Sequence, residues 1–469
     1  MTNIEQQHAA DVQRVQDQVR SFCAQKKKIK IYHGSTNSTR ALRFERDRII
    51  DVSAFDRILA INLDEQYMLV EPNVPMDKLV TASLQFGLVP PVVMEFPGIT
   101  VGGGIQGGAG ESSSFRYGLF HDCCLQYEIV LGNGEVRTVS PEQHADLFYG
   151  TACSYGSLGI ITLVKLRLVP AKKFIHLTYR TVTSFGEAIQ SMQSIIKYTA
   201  DFVDGIMFSK NLGVVMSGKF SDEQHIPVAT FRKPLDEWFF LHANTIAHKH
   251  RLYDERIPIA DYLFRYDRGG FWVGQYGFRL LRVPFVRLFR VLLNSMFKTR
   301  TLFRVLHATN LSQRFLVQDI SLPQESVLKF LEFVDRKLHI YPLWLCPLKP
   351  GQHDKLSPNF LTTNGVINVG VWGEVSHDYA RFVAMNRELE TVVMKLHGRK
   401  VLYAHQYYPP DEFWKVYDGA WYRALRKKYF ADTVFPDVYE KTFVSDKYKP
   451  SVLAGVWRLI TSPFKLPIS

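Results

Sequence analysis

Cysteine is scarce, with five residues in 469: Cys23, Cys123, Cys124, Cys153 and Cys346. So small and odd a set builds no disulfide framework, and a reducing, cytosol-facing setting is the expectation. Long apolar runs are also missing. No stretch reaches the roughly eighteen consecutive apolar residues of a membrane-spanning helix, and no secretory signal opens the chain. The localisation expected is the cytoplasm or the cytoplasmic side of an intracellular membrane. There is no Walker lysine motif and no strand–GxGxxG–helix fingerprint with its later acid. The histidines are scattered, and the nearest pair, His248 and His250, has no cysteine or carboxylate at zinc-site spacing, so no metal site is expected. Acid is in deficit, at 45 Asp+Glu against 57 Lys+Arg. The resulting charge of +12 suits an anionic partner: a polyanionic cofactor, a membrane surface or nucleic acid. No nucleic-acid-binding module is spelled out, so nucleic acid is not expected.

The remainder is an ordinary globular composition, 46% hydrophobic and 13% aromatic. Val12, Val15, Val19 and Phe22 recur at helical spacing and predict one amphipathic surface helix. Short strands follow at 29–33, 49–52, 58–61 and 67–70. A helix carries Met76, Leu79, Val80 and Leu84 on one face and stops at Gly87. Residues 128–131 and 136–139 flank Asn133-Gly134, which predicts a hairpin with a primed turn. A long strand at 160–169 ends at Pro170, and beyond it helices lengthen and aromatics multiply. The fold class expected is α+β with its main boundary near Pro170.

Two glycine-rich segments carry the chemistry. Gly34-Ser35-Thr36-Asn37-Ser38 turns tightly after a strand, where converging backbone N–H groups and hydroxyls can grip a pyrophosphate. From Gly98 to Gly110, seven of thirteen residues are glycine, which strips side chains from a surface that can meet a large flat ligand. Taken alone, both segments are equally readable as structural turns.

The order of elements goes further. The glycine-hydroxyl loop, the 70–74 segment entering a helix, Thr100-Val101-Gly102-Gly103, Gly118-Leu119-Phe120-His121-Asp122, the hairpin and Gly156-Ser157-Leu158-Gly159-Ile160 together resemble the FAD-binding domain of the vanillyl-alcohol oxidase (PCMH) type. Glu111-Ser112-Ser113-Ser114, Arg116-Tyr117-Gly118, Val317-Gln318-Asp319, the 340–347 segment, Gly373-Glu374, Glu412-Phe413-Trp414 and Phe435-Pro436-Asp437 look similar to the 24-dehydrocholesterol reductase (Diminuto/Dwarf) branch. The resemblance implies a two-lobed FAD-binding domain at 1–170, an α+β substrate (cap) domain at 171–440 and an amphipathic basic tail at 441–469. It implies FAD, NADPH as electron donor, and reduction of a sterol or isoprenoid side-chain double bond. An alcohol-oxidising flavin oxidase or dehydrogenase on the same fold is the alternative.

On that resemblance the cofactor contacts are Gly34, Ser35, Thr36, Asn37, Ser38, Thr100, Val101, Gly102, Gly103, Gly107 and Gly108. Glu111, Ser112, Tyr117, Gly118, Gly156, Gly159 and Ile160 complete the set. The position of the flavin-linking histidine in many relatives falls near Asn37, so FAD is expected to be noncovalent. Alkene reduction also needs a proton donor. Candidates are Glu374 at a strand end and the cluster Tyr403, His405, Tyr407 and Tyr408, with Tyr407, Glu374 and His405 foremost. Cys123 and Cys124 are read as reduced core thiols.

Between Arg265 and Arg304, nine Lys/Arg interleave with aromatics against the single acid Asp267. Val286, Phe289, Leu293, Met296 and Phe297 would share a helical face, giving a basic amphipathic helix suited to a membrane surface. A tail with Val452, Leu453, Val456, Trp457, Leu459, Ile460 and Phe464 repeats the theme.

Overall fold

The computed structural model describes residues 2–34, 36–41, 44–198, 200–376 and 378–451. Ser35 and the apolar tail after Ser451 lie outside the described residues. The first helix, Asn3–Ala24, opens with a capping box between Thr2 and Glu5 and buries Val12, Val15 and Val19. His8 fixes it to the sheet beneath, with Nδ1 2.8 Å from Glu71 and Nε2 3.1 Å from Glu128. Burial opposes protonation of His8, but the bonds to Glu128 and Glu71 outweigh it and raise its pKa to about 9.

Before Pro170, Lys30–Tyr32 pairs in parallel with Ile49–Asp51, and an antiparallel five-stranded sheet forms separately. Its order is Ile58–Asn62, Tyr67–Val70, Ile160–Arg167, Cys124–Val130 and Val136–Val139. The hairpin forms, but not with the primed turn. Gly134 alone has positive φ (+78°), Gly134 N–H donates to Leu131 O at 2.9 Å and Leu131 N–H donates to Glu135 O at 2.8 Å. That is a three-residue loop closed by a glycine bulge, which needs one left-handed residue rather than two.

After Pro170 an antiparallel eight-stranded sheet begins with Leu252–Pro258 at one edge and ends with Arg399–Lys400 at the other. Three adjacent strands of this sheet, Leu343–Leu348, Val366–Glu374 and Phe315–Pro323, decide the site. Their pleat is strict. Leu316, Ile320, Leu322, Leu343, Leu345, Ile367, Val369 and Val371 face a core shared with the helices Phe185–Ile196, Val327–Phe333 and Tyr379–Lys395. Asp319, Ser321, Trp344, Asn368 and Trp372 therefore point the other way, onto a cavity shared with residues before Pro170. Gly370 is paired with both Asp319 and Trp344, and an added Cβ would stand 3.0 Å from Asp319 Oδ1 and 3.2 Å from Trp344 Cβ.

The chain then returns to its beginning. Arg40 donates to the carbonyls of Leu402 and Ala404, and Ser38 Oγ donates to Tyr403 O at 2.8 Å. Farther on, Tyr422 OH donates to Ser157 Oγ at 2.6 Å, Ile29 N–H donates to Val434 O at 2.9 Å and Tyr448 OH accepts from Ala41 N–H at 2.9 Å.

The basic aromatic region does not form the single amphipathic helix expected. Arg287–Leu292 is a short α-helix followed by a 3-10 turn, Asn294–Phe297. Its neighbours Phe271, Trp272, Phe278 and Phe297 are core residues, with Phe278 stacked on Phe297 at 4.3 Å. Packing against Phe278 and Trp238 takes Phe297 out of the face that spacing alone assigned to a surface. Leu280, Leu281, Val286, Leu288, Leu292 and Met296 nevertheless remain exposed, beside exposed Arg282 and Arg287. Among the described residues no helix is long and apolar enough to cross a membrane.

Candidate active site

A cavity of about 530 Å³ lies between segments before Pro170 and the inner face of the eight-stranded sheet. Its wall changes character from one end to the other.

At the polar end stand His33, Thr36, Asn37, Ser38 and Arg40, with Lys30 and Lys441 beside them. Gly34 has φ +82° and turns the chain, and Thr36 Oγ1 accepts from Ser38 N–H at 3.0 Å. Lys441 donates to Gly156 O at 3.3 Å. Burial, followed by the charges of Arg426, Lys30 and Arg40, lowers the Lys441 pKa to about 7. Burial and the nearby Lys441 lower that of His33 to about 4. Arg40 and Lys441 beside a hydroxyl loop fit a pyrophosphate, whose charge would restore Lys441.

The glycine segment forms the middle of the wall. Val101–Gly107 is a helix capped by Thr100, whose Oγ1 accepts from Gly103 N–H at 3.1 Å, and it ends at left-handed Gly108. The surroundings of these glycines differ. A Cβ added at Gly102 would stand 2.8 Å from Pro72 Cβ, one at Gly104 would meet Met94 Cε, one at Gly108 would stand 2.6 Å from Cys153 Sγ and one at Gly110 2.5 Å from Leu119 Cδ2. Close packing within the protein requires those four. Gly107 has nothing within 4 Å and opens onto the cavity. Gly156, Gly159 and Ile160 also line the wall, Gly156 with φ +68°.

The third part of the wall is aromatic and acidic. Phe96, Phe303, Trp344 and Trp372 form its apolar surface, with Phe96 6.1 Å from Trp372 and Phe271 packed behind them at 4.6 Å from Trp372. Asp319 Oδ2 accepts from Tyr403 OH at 2.7 Å and Oδ1 accepts from Asn368 Nδ2 at 3.2 Å. Burial raises the Asp319 pKa to about 6, and the bonds from Tyr403 and Asn368 restrain the rise. Glu95 lies on the same cavity wall.

Several expected site residues are elsewhere. Glu111 is buried behind the aromatic wall, where Arg265 Nη2 lies 3.1 Å from Glu111 Oε1 and 2.8 Å from Asp204 Oδ2. Asp204 Oδ2 also accepts from Tyr266 OH and from Trp344 Nε1, so this network braces Trp344. Ser112 Oγ is 3.2 Å from Tyr262 OH on the same side. Val101 is buried in the core. Tyr117 is half-buried outside the cavity wall, and Gly118 is required by φ +80° and by the Asp122 carboxylate, which a Cβ there would strike.

The expected proton donors need correction. Glu374 sits 3.5 Å from Arg279 at the sheet's end, outside the cavity wall. Tyr407 packs among Phe382, Val444 and Tyr448. His405 is buried beside Thr39, and burial followed by Arg40, Lys400 and His307 lowers its pKa to about 3, leaving it no proton to give at neutral pH. Of the cluster, Tyr403 reaches the cavity, because residues 401–409 form a loop rather than an alternating strand.

His121, Asp122 and Asp354 bring ligand-type atoms within 4.8 Å of one another, a grouping that sequence spacing does not reveal. His121 Nε2 is 3.1 Å from Asp354 Oδ2; burial opposes its charge, but Asp122, Cys153 and Asp354 together raise its pKa well above the usual histidine value. Cys123 and Cys124 are free and buried, and burial pushes Cys124 up to about 12.

Residues 8–140 match the FAD binding domain family. The Delta(24)-sterol reductase of Homo sapiens is 32% identical over 461 residues, covering 92% of this chain and 86% of the human one. That of Arabidopsis thaliana is 30% identical over 86% of this chain and 77% of the plant protein. The Delta(24)-sterol reductase homolog dhcr-24 of Caenorhabditis elegans is 28% identical over 92% of this chain and 87% of its own length.

Proposed function

Because the chain belongs to the Delta(24)-sterol reductase family of FAD-dependent oxidoreductases, we propose that it adds hydrogen across a side-chain double bond of a sterol or isoprenoid, with NADPH as electron donor. The observation that carries this reading is the polarity of this cavity: cations and hydroxyls at one end, aromatic rings with two carboxyls at the other. A dinucleotide's pyrophosphate belongs at the first end and an apolar side chain at the second.

Bound FAD supplies hydride transfer, and the protein supplies position and protons. Thr36, Asn37, Ser38, Arg40 and Lys441 would hold the pyrophosphate; Thr100, Gly102, Gly103, Gly107, Gly108, Gly156, Gly159 and Ile160 would line the rest of the cofactor. Phe96, Trp344 and Trp372 exclude water from the reacting carbons and bury the substrate's apolar surface. Among the described residues the wall holds no cysteine, and its histidine, His33, stands at the cationic end, which supports a noncovalent cofactor.

Purified protein should be yellow, and acid precipitation should release the colour into the supernatant. Anaerobic NADPH should bleach it, and a sterol with an unsaturated side chain should restore it. Bleaching by simple alcohols with no response to NADPH would replace this reading with the oxidase or dehydrogenase alternative.

The same reading requires access to a lipid-borne substrate. The surface formed by Leu280, Leu281, Val286, Leu288, Leu292 and Met296, beside Arg282 and Arg287, suits the face of an anionic bilayer. Leu288 and Leu292 are 63% and 66% exposed. Each contributes about 1.5–3 kcal/mol when buried, so replacing both with Glu should weaken binding to anionic liposomes by at least roughly 100-fold. Flavin content should not change. Unaltered sedimentation with liposomes would exclude this surface.

A further inference from the structure

Resting on the reductase reading, we propose that Glu95 is the catalytic acid, delivering the proton that accompanies hydride transfer to the alkene.

An isolated carbon–carbon double bond has no neighbouring carbonyl to hold negative charge, so hydride cannot add first. A proton must arrive before the hydride or with it, leaving the more substituted carbon electron-poor. The apolar end of the cavity suits that demand, because the faces of Phe96, Trp344 and Trp372 attract positive charge. It presents three oxygen acids: Glu95, Asp319 and Tyr403.

Two of the three are committed. The Tyr403 proton is held toward Asp319 at 2.7 Å, and burial with the adjacent Asp319 raises the phenol's pKa well above its usual value. Asp319 accepts from Tyr403 and Asn368, bonds that favour its ionised form. The Glu95 carboxyl has no side-chain hydrogen-bond partner among the described residues, and Glu95 is part of the cavity lining. The charged and titratable groups around it are Glu111, Arg265, Asp319, Tyr403 and Cys346. Arg265 is engaged by Glu111 and Asp204, so it offers Glu95 little compensation. Burial, then Glu111 and Asp319, raise the Glu95 pKa to about 8, against the opposing pull of its own amide and Arg265. At neutral pH it is a neutral acid.

The step balances. The Glu95 O–H bond breaks and its proton bonds to one alkene carbon, while hydride from reduced flavin bonds to the other. The π bond is consumed, the flavin is oxidised, and the Glu95 carboxylate regains a proton from solvent. NADPH restores the reduced flavin.

The test is Glu95→Gln in the FAD-loaded full chain, with the two half-reactions followed separately under anaerobic conditions. Flavin bleaching by NADPH should stay within about threefold of wild type, and sterol-driven reoxidation should fall by about 100- to 10,000-fold, the range of general acid catalysis. In the wild type, reoxidation should decline as pH rises through about 8, because the acid form is required. Glu95→Asp should retain part of the rate with a displaced pH profile. Independently of turnover, flavin-free wild type at pH 7 should show the infrared carbonyl band of a protonated carboxyl that Glu95→Gln lacks. Wild-type reoxidation by Glu95→Gln, equal slowing of both half-reactions, or absence of that band would overturn the assignment to Glu95 while leaving the reductase reading in place. A wild-type enzyme that NADPH bleaches and no unsaturated sterol reoxidises would overturn both.

Discussion

Gly107→Leu should leave the protein folded and remove its flavin. An added Cβ at Gly107 meets no atom within 4 Å, so the folded protein accepts a side chain there. The free space is the cavity itself, and the leucine would enter it. Overpacking of this kind costs about 1–3 kcal/mol and each 1.4 kcal/mol is tenfold, so FAD affinity should fall by roughly 10- to 100-fold. Melting of the flavin-free protein should not change. Gly104→Leu makes the contrast, because Met94 and Phe120 already occupy that space and the flavin-free fold itself should lose stability. Fluorescence titration with FAD and thermal melts of both flavin-free variants separate the effects. If Gly107→Leu binds FAD as wild type does, the cofactor does not lie along this helix.

Arg265→Leu should be severely destabilising. The guanidinium stands between two buried carboxylates, Glu111 and Asp204, and over the rings of Tyr262 and Tyr266 at 4.1 and 4.6 Å. Breaking a buried ion pair costs about 3–5 kcal/mol, because the remaining charge stays buried without a partner. The loss should depend on pH. Burial raises the Glu111 pKa, with Arg265 opposing the rise; removing Arg265 pushes it higher still. A carboxyl whose folded pKa exceeds its unfolded value loses stability as pH rises between the two. The deficit of Arg265→Leu should therefore be smaller at pH 5 than at pH 8, and Glu111→Gln added to it should recover part of the loss. Urea melts at both pH values measure this. A deficit below about 1 kcal/mol at pH 8 would mean that the network does not brace the wall.

Much of the fold is legible from periodicity alone. Val12, Val15 and Val19 place the first helix, and Met76, Leu79 and Val80 place the second. Local spacing says which residues share a face, but not what that face meets. Phe297 shares helical spacing with Val286, Phe289, Leu293 and Met296, yet it stacks on Phe278 and packs against Trp238, both from other parts of the chain. The glycine segment is legible as a functional element, but the reason for each glycine is not, since Met94, Pro72 and Cys153 reach it from other parts of the chain.

The acid site is the hardest part to foresee. Glu95 interrupts the apolar run from Val92 to Phe96, and a carboxyl in such a run is itself a signal. Its significance depends on strands more than 200 residues later carrying Asp319 and Trp372 to the same cavity. Tyr403 and Tyr407 are equivalent by composition, and only the loop's path separates the one on the wall from the one in the core.

The return of the chain to its start has a consequence for synthesis. The loop at 36–41 is held by carbonyls at 402–404, and the cationic end of the cavity includes Lys441, with Tyr448 bonded to Ala41. A ribosome makes the glycine-rich half of the site early and its closing wall some 300 residues later, a delay of about 15–60 s at 5–20 residues per second. During that interval the nascent chain has the hydroxyl loop without the backbone that clamps it. Flavin capture is thus a late event in the life of the polypeptide, and a product ending short of Lys441 would carry the motif of a flavoprotein without its complete binding site.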